Sequence, residues 1–141
     1  MNAFFDNCTS PTLAATIAGY VGTLGHRAVH IRDAGIVGLD LKRDATDLEW
    51  ITALGADVRG WIVVTGDRKL SRNKAEKEAF RRARLSGLWL SGPFTRLPVH
   101  RQAALLINRW PDLAETIRRF NPPLLIAVPT RFGGKLDLIQ W

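Results

Sequence analysis

The sequence predicts an α/β fold of three layers, α/β/α, around a mostly parallel central sheet of four to five strands. Two observations predict it. Short apolar runs alternate with longer segments whose apolar residues recur at helical spacing, the pattern of right-handed βαβ units. Trp61-Ile62-Val63-Val64-Thr65 is apolar and β-rich throughout rather than alternating, as befits a central strand buried on both faces. The 141 residues, 46% hydrophobic and 23% charged, fit a single domain over residues 1–141 and exclude a disordered or collagen-like chain.

The elements follow in chain order. Ala3-Phe4-Phe5 reads as a strand stopped by Asp6, and in the turn that follows Ser10 caps a helix opened by Pro11. Leu13, Ile17, Val21 and Leu24 line one face of that helix up to Gly25. Ala28 to Ile31 is a second strand ending at Arg32 and Asp33, followed by a loop from Ala34 to Arg43. Thr46-Asp47-Leu48-Glu49 has the form of a capping box, after which Trp50, Ile51 and Leu54 turn inward. Trp61–Thr65 ends at Gly66-Asp67, Asn73 caps a basic helix up to about Leu85, and Leu88-Trp89-Leu90 is a fourth strand. The helical region from about Pro98 to Phe120 is expected to break at Trp110-Pro111 into two short helices, because an interior proline removes a hydrogen bond and clashes with the preceding turn. Leu124 to Val128 forms a last strand, and Lys135 to Trp141 an apolar tail.

A lone cysteine, Cys8, excludes an internal disulfide and a cysteine-based zinc or iron–sulfur site, and is read as a packing residue. Apolar runs such as Leu124–Val128 are far short of the roughly 20 residues a bilayer requires. No basic segment precedes the first apolar residues, and Asp6 follows them, so no signal peptide, no membrane partner and a cytoplasmic location are expected.

The charge is more telling. Twenty Lys and Arg against thirteen Asp and Glu leave +7, with an isoelectric point near 10.5. Such an excess favours polyanions, because neutralised phosphates release condensed counterions; nucleic acid is the first candidate and an acidic protein the second. Most of it lies between Arg68 and Arg84, where eight cations face only Glu76 and Glu78. Arg68, Lys69, Arg72, Lys74, Lys77 and Arg81 are the candidate nucleic-acid contacts. The competing reading is a merely solvated charged face.

Ligands of an open parallel sheet bind beyond the carboxyl ends of its strands. Asp6 and Asp67 each close a strand there, Asp33 follows the second, and Asp47 and Glu49 open the helix leading to the third. Clustered carboxylates call for raised pKa values or a bound cation, and an oxygen-only set suits Mg²⁺ or Mn²⁺. Asp6, Asp67, Asp47, Glu49 and Asp33 are therefore candidate metal ligands, although an Asx turn, a solvated turn residue or a helix cap would account for each alone. His26, His30 and His100 show no ligand spacing and are read as structural. The tryptophans, Trp50, Trp61, Trp89, Trp110 and Trp141, are a type of residue that stacks on bases, but most stand at apolar-periodic positions and are read as core.

Phe5-Asp6-Asn7 with Ser10-Pro11, Val29-His30-Ile31-Arg32-Asp33, Asp47-Leu48-Glu49-Trp50 and Thr65-Gly66-Asp67-Arg68, in that order and spacing, resemble the compact PIN-like family related to VapC toxins, in its VapC45-like branch. The resemblance spans roughly the first 90 residues. It implies a PIN fold, a Mg²⁺- or Mn²⁺-dependent endoribonuclease acting on RNA, and a cognate antitoxin. Carried over by position, Asp6, Asp67 and one or both of Asp47 and Glu49 would be catalytic metal ligands. The fourth strand ends at Leu90-Ser91-Gly92 without the further acid usual in the family, and Asp33 is the residue that would compensate. Homodimerisation, common in the family, would use Trp141 and the exposed part of Leu136 to Ile139. The chief alternative is a weakly active or inactive RNA-binding or regulatory module on the same fold. A phosphate-accepting receiver domain fits less well, since it needs a lysine at a later strand end and Lys69 follows Asp67 at once.

Overall fold

Strands β1 (Asn2–Phe5), β2 (Ala28–His30), β3 (Trp61–Thr65), β4 (Ser86–Trp89), β5 (Leu125–Ala127) and β6 (Asp137–Leu138) form one sheet in the order β2-β1-β3-β4-β5-β6. The structure is a computed structural model that describes residues 1–139, apart from the side chains of Lys69 and Ser71. Every strand pair is parallel except β5–β6. The sheet thus has six strands where four to five are expected, the added one being the two-residue β6. Phe5 lies opposite His30 on one side and Val64 on the other, so the carboxyl ends of β1, β2 and β3 come level.

Two helices cover each face. Helix α1 (Pro11–Gly22) and helix α5 (Val99–Phe120) bury Leu13, Ile17, Val21, Leu106, Trp110 and Leu113 against Phe5, Val64, Leu88 and Ile126. On the other face, helix α2 (Asp47–Ala56) and helix α3 (Lys74–Arg82) bury Trp50, Ile51, Leu54 and Phe80 against Phe4, Trp61 and Val63. Phe4 and Trp50 meet with ring centroids 5.5 Å apart. Odd and even residues of β1 and β3 therefore feed separate cores, as the two-residue period of a strand requires.

The caps form as the sequence predicts. The Ser10 hydroxyl accepts from the Leu13 amide, Thr46 and Glu49 close the capping box, and Asn73 accepts from Ala75 and Glu76. Other details differ. A 3-10 stretch, Ile31–Val37, occupies much of the expected loop, and a short helix α4 (Gly92–Thr95), capped by Ser91, follows β4. The helices α1 and α3 end a turn early, at Gly22 and Arg82, and β4 starts at Ser86 rather than Leu88.

The expected break at Trp110-Pro111 does not occur, for α5 runs through Pro111 unbroken. Pro111 itself is exposed, while Trp110 and Leu113 on either side are 1% and 0% exposed in the core. Burial of two large side chains is worth roughly 1.5–3 kcal/mol each, enough to offset the roughly 3 kcal/mol that an interior proline costs. Among the described residues no helix is long and apolar enough to cross a membrane.

Candidate metal and nucleic-acid site

The chain leaves β1 at Asp6, whose amide donates to Val64 O and whose side chain is 4% exposed. Its Oδ1 accepts from the Cys8 amide at 3.0 Å, and its Oδ2 accepts from the Thr65 hydroxyl at 2.5 Å. Thr65 Oγ1 in turn accepts from the Asp67 amide at 2.9 Å. One buried hydroxyl thereby links the carboxylate that ends β1 to the turn after β3.

Burial pushes the Asp6 carboxyl up to about 7, against the opposing pull of the Thr65 and Cys8 hydrogen bonds, and the nearby Asp47 and Asp67 raise it further. Of the other four predicted acids, Asp47 and Asp67 are therefore within electrostatic reach of Asp6. Asp47 is brought there by the start of α2 and by a tether, since the Asn7 amide group donates to Arg43 O at 3.3 Å and holds the 40s loop to the turn after β1. Its Oδ1 accepts from the Trp50 indole at 2.9 Å.

Glu49 and Asp33 have other partners. Glu49 Oε2 accepts from the Thr46 amide at 2.6 Å as half of the capping box. Asp33 pairs with Arg32 at 3.4 Å with both side chains over 40% exposed. Ser91, just past β4, accepts from the Phe94 amide to cap α4.

Three residues outside the sequence-predicted set build the site. Thr65 is one. His30 is the second: its Nδ1 accepts from the Arg32 amide at 3.1 Å, which leaves Nε2 to donate to Thr9 O at 3.2 Å. Thr9 donates through both its amide and its hydroxyl to Asp6 O, so the buried, neutral imidazole braces the turn that presents Asp6; burial lowers its pKa. Gly66 is the third. A Cβ there would lie 2.7 Å from Cys8 O and 3.4 Å from the Thr95 methyl, so the loops after β1 and β3 touch only because this residue has no side chain. Gly66→Ala is expected to destabilise the fold by about 1–3 kcal/mol, read as a drop in urea midpoint, because backbone must move. In the sequence His30 lies three residues before Asp33 and Thr65 two before Asp67, the only signal for either.

Among the described residues no three His, Cys, Asp or Glu side chains form a group that would hold a metal ion unaided. The donor chemistry still fits a hydrated hard cation. Mg²⁺ keeps several waters and takes only one or two carboxylates, a demand that Asp6 and Asp67 would meet, with Asp47 also within electrostatic reach of Asp6.

The basic run begins at once after Asp67. Arg68 and Lys69 lie in a 3-10 turn, Arg68–Ser71, and Arg72 leads into α3. Arg68, Arg72, Lys74 and Arg81 are exposed and Lys77 is half-buried, while the Lys69 side chain lies outside the described residues. Phe80 alone anchors α3 fully in the core. The Arg82–Glu78 pair, 3.9 Å apart and solvent-exposed, neutralises little of this charge. Trp50, Trp61 and Trp110 are core residues as expected, but Trp89 is half-buried at the end of β4.

A mostly parallel sheet of six strands with helices on both faces is consistent with a PIN-like α/β/α fold. The sequence model of the family described as "PIN like domain" matches residues 1–92, and the chain belongs to that family. No curated protein and no solved structure matches it. PIN-like domains are commonly nucleases.

Proposed function

We propose that this protein is a metal-dependent endoribonuclease of the VapC toxin type. The observation that carries the proposal is the buried Asp6 carboxyl, raised to about 7 beside Asp47 and Asp67, at the edge from which the basic run departs. A buried carboxylate kept close to two others is costly unless something positive compensates it. Asp6 and Asp67, with Asp47, would hold Mg²⁺ or Mn²⁺, which when bound supplies an activated water and charge stabilisation at phosphorus. The protein's own part is positional. Thr65, Cys8 and the His30–Thr9 brace orient Asp6, and Arg68, Arg72 and Lys74 grip phosphates flanking the scissile bond. A cognate antitoxin would block this edge, and self-association would use the exposed Leu138 of β6; the Trp141 assigned to it lies outside the described residues.

The test is cleavage of a fluorogenic single-stranded RNA across a pH series at sub-saturating Mn²⁺, where the ion competes with the Asp6 proton. Asp6 must be ionised to ligate, and below about 7 it holds a proton. Activity should therefore rise about tenfold per pH unit below that point and level off above it. Binding without cleavage at any pH would favour the regulatory-module alternative.

A further inference from the structure

Beside the carboxylate edge lies a cavity of about 210 Å³ lined by Asp67, Arg68, Arg72, Trp89, Leu125 and Ile139. Its walls differ in kind. The lining combines the aspartate of the candidate metal pair and two arginines with an indole and two aliphatic side chains. Gly87, on the same face of β4 two residues before Trp89, leaves room for Leu125, which lines the cavity, and for Phe80, since a Cβ there would lie 2.9 Å from the first side chain and 3.3 Å from the second. The half-buried Trp89 has an indole N–H with no partner among the described residues.

We propose that this cavity receives one unstacked base of single-stranded RNA, next to the scissile phosphate, with Trp89 as the stacking surface and Arg68 and Arg72 on that nucleotide's phosphates. The proposal rests on the ribonuclease reading above and adds a strand-state preference to it. An aromatic platform beside guanidinium groups is the combination that single-stranded nucleic acid selects, the base on the ring and the backbone on the cations. The volume lies below the roughly 300 Å³ at which drug-sized ligands begin, so it suits a planar ring rather than a folded peptide segment. The bases of an A-form duplex are stacked and paired, so a duplex reaches the arginines but not the slot.

The experiment is fluorescence anisotropy with a labelled single-stranded RNA and a duplex of the same length, in EDTA so that nothing is cleaved. Trp89→Leu is expected to weaken the single strand by about 5- to 150-fold, from a stacking energy of about 1–3 kcal/mol per base, and to leave the duplex unchanged. Trp89→Phe should retain most of the affinity. An abasic strand should lose the same factor with the unmodified protein and nothing further with Trp89→Leu. If the single strand binds Trp89→Leu as tightly as the unmodified protein, the cavity is not a base site, and the ribonuclease reading survives. If the unmodified protein binds neither RNA, that reading falls and this one with it. Equal loss of single strand and duplex in both variants would reduce Trp89 to a packing residue and overturn the proposal.

Discussion

Asp6→Asn is expected to abolish Mn²⁺-dependent RNA cleavage, by 10²-fold or more, while making the protein more stable above neutral pH. The two effects share one cause. The carboxyl is 4% exposed and raised to about 7 from an ordinary value of 3.8. Below about pH 4 both folded and unfolded chains carry the proton and the site costs nothing. Between that point and about 7 the unfolded chain ionises while the folded one keeps its proton, so stability falls as pH rises, and above 7 the deficit is constant. Asparagine preserves the acceptor for the Cys8 amide and carries no charge. The gain at pH 8 should be on the order of 2–4 kcal/mol, seen as a raised thermal midpoint in EDTA, and should vanish near pH 4. A midpoint lowered equally at both pH values would mean that Asp6 is a structural hydrogen-bond acceptor and not a poised ligand.

Thr65→Val carries the second large effect. The hydroxyl, 1% exposed, gives a hydrogen bond to Asp6 Oδ2 and takes one from the Asp67 amide, and valine has the same shape without either. Losing a donor to the ionised carboxylate raises Asp6 beyond about 7. A hydrogen bond to a charged group is worth about 1.5–3 kcal/mol, which corresponds to a displacement of about one to two pH units. The acid limb of the cleavage profile should move upward by that much, with activity recovering at higher pH, and stability should drop by about 1–3 kcal/mol because two buried groups lose their partner. A uniform loss at every pH would assign Thr65 to packing alone.

These residues also show where sequence reading reached and where it stopped. Local chemistry was legible: the caps at Ser10, Thr46 and Asn73, the apolar β3 strand and the aspartates that end β1 and follow β3 all rest on contacts within a few residues. Contacts between distant segments were not. Nothing near Gly66 in the chain reveals that Cys8 O would collide with a Cβ, and nothing near Pro111 reveals how strongly the core holds Trp110 and Leu113. Position along the chain proposed five acids, with Asp33 only as a stand-in for a missing later one, and their partners differentiate them further. Asp6 is buried and raised, Glu49 closes a helix cap, and Asp33 pairs with its neighbour Arg32. Likewise Trp89 reads as core among Leu88 and Leu90, and only the sheet order exposes its face to a cavity next to Asp67.

The account depends on the carboxylates of Asp6 and Asp67 sharing one divalent ion across the ends of adjacent strands. Calorimetric titration of Mn²⁺ into the unmodified protein, Asp6→Asn and Asp67→Asn at about pH 8, where Asp6 is ionised, tests this most directly. The expected result is one site in the unmodified protein, lost or weakened at least tenfold in each variant. Equal Mn²⁺ binding by all three proteins would contradict it.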